Sequence, residues 1–148
     1  EKNSWAFRVK VAGSEGIVHD DKRYYLGGSN GIRGYGKSYY DEPDEDDGNT
    51  EGQYDATKTG FIGKSMLLGS LEYRIPLADS VRGVIFGDVG RTYQTDTIDL
   101  EKGDFNYSYG VGVRFRTPIG EIGIDYGYAP DAKRDSNDEL SLVIGNKF

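Results

Sequence analysis

Residues Gly31–Ser38, GIRGYGKS, satisfy the spacing G-x-x-x-x-G-K-[ST]. In a phosphate-binding loop that spacing curls backbone N–H groups around a nucleotide and brings the lysine to its outer phosphates. The chemistry needs a buried strand ahead of the glycines and a helix N-terminus behind them. HDDKRYYLGGSN upstream is too charged for a central strand, and SYYDEPDEDDGNTEG downstream, with Pro43, Gly48 and a run of acids, does not sustain a helix. No nucleotide is expected here, so Arg33 and the glycines around it need another role.

The remaining chemistry-bearing residues are few. Aligning the acidic run Asp41–Glu51 on a calcium loop with Gly48 as its central glycine puts Pro43 at the first ligand position and Tyr54 at the bidentate-glutamate position. The match fails, and the run reads as a solvated loop. His19 is the single histidine and there is no cysteine, so neither a zinc site nor a Ser/His triad can be assembled. Glu72 and Asp88 are the carboxylates that a glycosidase pair would require, but an arginine partner explains them better. No cofactor, no metal and no enzymatic activity are expected.

The elements that must carry these residues are strands. No run of apolar residues is long enough for a transmembrane helix. A membrane β-barrel escapes that test, because only alternate residues face lipid. Trp5, Phe7, Val9 and Val11 alternate with Ala6, Arg8, Lys10 and Ala12. In 65–76, Leu67, Gly69, Leu71, Tyr73 and Ile75 oppose Met66, Leu68, Ser70, Glu72 and Arg74. In 80–93, Val81, Ile85, Val89 and Tyr93 alternate less cleanly with Arg82, Val84, Phe86 and Asp88. Segments 105–117, 122–128 and 140–148 repeat the pattern, the last with Leu140, Leu142, Ile144 and Phe148 in phase.

These are six strands of about nine to thirteen residues, the length that a tilted strand needs to cross a bilayer. Short turns at Pro76–Ser80 and Thr117–Glu121 alternate with long polar connections at Thr95–Asp104, Pro130–Asp138 and 14–62. That asymmetry marks an outer-membrane barrel. Aromatics near strand ends (Trp5, Tyr73, Tyr93, Tyr107, Tyr126, Tyr128, Phe148) suit interfacial girdles, while Ser70, Arg114, Arg116, Asp125 and many of the 22 glycines suit a crowded wet lumen. The net charge of -7 argues against nucleic acid as a partner. The fold expected is therefore all-β, an antiparallel transmembrane barrel domain over 1–148, with 14–62 as one long loop. Glu72 and Asp88 fall on the lumen face of neighbouring strands, where a buried anion wants a cation, and the arginine fork suits it.

At this point the residues carry a resemblance. The ordered motifs GGSNGIRGY, LLGSLEYRIPL, VRGVIFGDVG and YSYGVGVRFRTPIGEIGIDYGY, and a last strand ending in Phe148, resemble the C-terminal barrel of the bacterial surface antigen superfamily. That superfamily holds BamA, TamA and the two-partner-secretion transporters. The resemblance implies that Ile32, Arg33, Gly34 and Tyr35 are the tip of a loop folded back into the lumen. It implies Asp88 and Glu72 as the acids facing Arg33, which then pins the loop or simply braces the barrel. It also makes Leu140, Leu142, Ile144 and Phe148 either a β-signal read by assembly machinery or a plain closing strand.

By the same resemblance the expected function is insertion of outer-membrane proteins or translocation of polypeptides in a bacterial outer membrane. Lipid and unfolded outer-membrane clients are the partners implied. The alternative is a passive structural or small-pore barrel without insertase activity, since no POTRA repeat precedes the strands. Family barrels have sixteen strands. Six leave two open edges, which predicts two further strands hidden in the long loop, a homodimer that joins edges, or a piece of a longer protein; homodimeric completion or a short stand-alone member is the expectation, with a second copy as the partner.

Overall fold

The computed structural model describes residues 2–17, 22–35, 62–95, 97–101, 105–130 and 138–145. His19, Lys37, Ser38, the acidic run Asp41–Glu51 and Phe148 lie outside the described residues.

Period-two sequence becomes strand throughout: β1 (Ser4–Gly13), β2 (Tyr24–Tyr25), β3 (Ile62–Gly63), β4 (Ser65–Ala78), β5 (Val81–Tyr93), β6 (Asn106–Thr117), β7 (Gly120–Tyr128) and β8 (Asp138–Ile144). Six of them form one antiparallel sheet in the order β1-β4-β5-β6-β7-β8, so each long strand pairs with its neighbours along the chain. The chain is all-β among the described residues, and no helix is long and apolar enough to cross a membrane. The β4–β5 and β6–β7 connections are the two tight turns, at Asp79–Ser80 and Pro118–Ile119. The sheet does not close: β1 and β8 are its two edges.

β2 lies within the long loop and β3 at its end, both too short to be barrel staves, and residues 36–61, the greater part of the loop in which further strands are expected, lie outside the described residues. β2 and β3 are two residues each and pair only with one another. A strand that crosses a bilayer needs about nine to eleven residues.

One face of the sheet is the apolar face expected from the alternation. Trp5, Phe7, Leu71, Ile85, Val111, Ile124 and Leu142 all lie on it and are exposed. The opposite face is covered by residues 26–35, and the core lies between them: Leu26, Ile32 and Tyr35 from the loop pack with Met66, Leu68 and Ala129. Tyr93 departs from the expected lipid-facing position and is buried, 7% exposed. Its strand end is capped by the chain entering β4: the Lys64 N–H donates to the Tyr93 carbonyl at 2.8 Å, and the Arg91 guanidinium lies 5.9 Å from the Tyr93 ring.

Candidate functional site

The loop that carries Arg33 is folded on itself before it meets the sheet. The Ile32 N–H donates to the Leu26 carbonyl at 2.7 Å, that of Gly31 to Gly28 at 3.0 Å, and that of Gly28 to Tyr35 at 2.7 Å. Ile32 and Tyr35, on either side of the Arg33–Gly34 pair, are buried in the core and anchor the tip. Gly34 has φ +95°, where a side chain would be strained. It lies directly on Gly127 of β7: a Cβ on Gly127 would come within 2.7 Å of the Gly34 nitrogen. Two glycines thus let two backbones touch, and that contact sets the depth at which Arg33 enters the sheet.

Three strands supply carboxylates to Arg33. Its Nε donates to Asp88 Oδ2 at 2.7 Å and its Nη2 to Asp88 Oδ1 at 2.8 Å, a bidentate fork. Its Nη1 donates to Glu72 Oε1 at 2.6 Å and to Asp125 Oδ2 at 3.1 Å. The main-chain N–H of Arg33 adds a bond to Asp88 Oδ2 at 3.1 Å, and the guanidinium carbon sits 3.6 Å from the centre of the Phe86 ring. Strand register explains the convergence. Glu72 is directly opposite Phe86, which is opposite Gly110, which is opposite Gly127. Asp88 is two residues along β5 from Phe86, and Asp125 two along β7 from Gly127, so the three acids occupy adjacent rows of one face. Gly110 and Gly112 of β6 leave that face bare between them; a Cβ on Gly110 would come within 2.6 Å of the Phe86 ring.

The cluster extends beyond Arg33. Arg114 of β6 donates through Nη1 to Asp125 Oδ1, through Nη2 to Asp125 Oδ2 at 2.9 Å, and through Nη2 to Glu72 Oε1 at 3.3 Å. Arg74 holds the other oxygen, Glu72 Oε2, at 3.0 and 3.1 Å. Arg8 of β1, half-buried, adds its charge to the field at Asp88, Glu72 and Arg33, and the six side chains in direct contact are Arg33, Arg74, Arg114, Glu72, Asp88 and Asp125. Except for Arg74, every side chain is at most 2% exposed. Burial disfavours the Arg33 charge, but its bonds to Asp88 and the nearby Asp88 and Glu72 charges outweigh that and raise its pKa above the ordinary arginine value. The guanidinium is thus a permanent cation, held for position and not for proton transfer.

Of the residues that the sequence singles out, Ile32, Arg33, Gly34, Tyr35, Glu72 and Asp88 come together in this cluster and its core. Leu140, Leu142 and Ile144 are exposed on the opposite face of β8, in the company of the other lipid-facing residues. Asp125 and Arg114 show on the lumen face in the sequence, but their part in the cluster does not. The signal that carries it is the tight turn after Thr117, which fixes the β6–β7 register with Gly112 opposite Asp125 and Arg114 opposite Gly123. Those two glycines clear the diagonal along which Arg114 and Asp125 meet.

A sheet with one continuous apolar face, a charged inner face and a long loop bound against that inner face by an arginine is the wall of a transmembrane β-barrel. The chain belongs to the Omp85 superfamily, whose domain matches residues 3–148. It is 28% identical over 131 residues to outer envelope protein 39, chloroplastic, of Arabidopsis thaliana, covering 82% of this chain and 31% of that protein. It is 30% identical over 112 residues to outer envelope protein 80, chloroplastic, of the same plant, covering 71% of this chain and 13% of that protein. The chain thus spans less than a third of either relative. Membership makes it part of an outer-membrane barrel in a family of insertion and translocation barrels.

Proposed function

We propose that the barrel to which this sheet contributes inserts outer-membrane proteins or passes polypeptides across the membrane, with the 26–35 loop as a part that must be docked for that activity. The observation that carries the reading is the convergence on Arg33 of carboxylates from three strands, β4, β5 and β7. So many buried charged bonds on one loop residue exceed what a connecting loop needs, and they make the loop position a property of the whole wall. The order of motifs supports a bacterial outer membrane. The chloroplast envelope relatives do not distinguish a bacterial membrane from an organellar one, and cell fractionation would. The open edges β1 and β8 support completion of the barrel by further strands, from a second copy or from the rest of a longer chain.

The test is client insertion by the full-length protein in liposomes. Arg33→Ala is expected to slow insertion of an unfolded barrel client at least tenfold, by the loss of charged bonds worth more than about 1.4 kcal/mol. A passive barrel is the rival, favoured by the pairing of each buried acid of the cluster with an arginine, which a pure brace also requires. Full-rate insertion by a folded Arg33→Ala protein would decide for that rival.

A further inference from the structure

Glu72 is contested. Its Oε1 accepts from Arg33 at 2.6 Å and from Arg114 at 3.3 Å, while Arg74 occupies Oε2. Arg114 is kept from closing on Glu72 by Asp125, which takes both of its Nη groups in a bidentate fork. The same Asp125 also accepts from Arg33 at 3.1 Å. We infer that Asp125 is a positioning residue for the loop: by holding Arg114, it leaves Glu72 to Arg33.

The charge count states the consequence. With Asp125 neutral, Arg33, Arg74 and Arg114, with the charge of Arg8 beside them, face Glu72 and Asp88 alone among the described acids of the cluster, one anion fewer in a buried site. Arg33 is the member mounted on a loop, whereas Arg74 and Arg114 are fixed in paired strands. Arg114 then takes Glu72 Oε1, and the repelled member that can leave is Arg33. Removal of Arg114 together with Asp125 takes out one cation and one anion, which returns the cluster to its parent net charge and ends the competition. Beyond its own 3.1 Å bond to Arg33, Asp125 therefore acts on the loop through Arg114, and most of its effect depends on Arg114, a dependence that a pure brace on Arg33 would not have.

The inference deepens the proposed role of the loop, but its test reads docking and not insertion, so the two can fail separately. Hydrogen exchange is followed in the full-length protein in lipid nanodiscs, on peptides covering 26–35 and, as the control, on peptides from β4 to β6. Asp125→Asn is expected to speed exchange of the loop peptide about tenfold or more, the order for a lost charge-assisted hydrogen bond, with the strand peptides unchanged. Arg114→Gln alone is expected to exchange no faster than the parent, and the double variant to return to within about threefold of the parent, the typical context scatter of one bond. The inference is overturned by a loop that stays protected in Asp125→Asn, by a double variant as open as Asp125→Asn, by an equally open Arg114→Gln, or by strand peptides that loosen along with the loop. If Asp125→Asn does not fold, a folded double variant with a protected loop still supports it, and a double variant that also fails to fold overturns it.

Discussion

Removal of the Arg33 guanidinium takes the bidentate partner from Asp88 and one bond each from Glu72 and Asp125, which keep Arg74 and Arg114. Breaking a buried ion pair from one side costs roughly 3–5 kcal/mol, because the stranded charge keeps its desolvation penalty. Arg33→Ala is expected to lower stability by that order in urea unfolding from lipid vesicles. Arg33→Lys keeps the charge but gives up the fork on Asp88, whose two oxygens lie 2.7 and 2.8 Å from two different nitrogens. It is expected to fall between the parent and Arg33→Ala, and a lysine variant as stable as the parent would show that charge alone holds the loop. At this scale the sequence is only partly legible. Arg33, Glu72 and Asp88 stand out because each sits inside a recognisable run, but alternation says only that Asp125 and Arg114 share a face with them. Their bonds to Arg33 and Glu72 depend on register, which a turn two residues long determines and a hydropathy pattern does not record.

Elements were more legible than contacts. Period two places β1, β4, β5, β6, β7 and β8 to within a few residues, since each face of each strand meets one uniform environment. It fails where a third element intervenes. Met66 and Leu68 sit in phase with Glu72 and so read as lumen residues, yet they are core, because the loop folds over them. Gly127 is the position where this covering is most exacting. Gly127→Ala would bring a methyl group within 2.8 Å of the Arg33 carbonyl carbon and within 3.0 Å of Gly34 Cα, backbone that cannot yield without dislodging Arg33. Overpacking of this kind costs about 1–3 kcal/mol. The expected outcome is a loop peptide that exchanges faster in Gly127→Ala while β6–β7 pairing persists. Gly87→Ala, whose added methyl meets nothing closer than 3.9 Å, is expected to match the parent. The outer face has its own check. Val111→Arg puts a charge on the apolar face, which destabilises a lipid-facing site by about 2–4 kcal/mol near the bilayer midplane. A neutral result in vesicle unfolding would mean that this face does not meet lipid.

For the whole molecule the governing fact is that the six long strands of the described residues end in two edges, and hydrocarbon offers no partner to an edge. A soluble sheet can leave its edges to water; a membrane sheet must close. The smallest single-chain barrels have about eight strands, and β2 and β3 cannot raise the count because each is two residues long and they pair only with each other. The strands that close the sheet therefore lie outside the described residues, and the docked loop decides how free their arrangement is. Arg33 binds β4, β5 and β7, and Arg8 of β1 donates to the Asn30 carbonyl at 3.2 Å, so the loop ties together strands from one edge of the sheet almost to the other. A wall cross-tied in this way is a preformed unit, and its edges are the places where it joins something else. The 148-residue chain produced alone and refolded into detergent is thus expected to associate through β1 and β8. When two differently tagged copies are refolded together, each should carry the other through affinity purification. Recovery of each tag alone, at the 16.4 kDa mass of one chain, would mean that two copies do not complete one another. Closure would then rest within one polypeptide, and cysteine cross-linking in the native membrane would trace which of its segments meet β1 and β8.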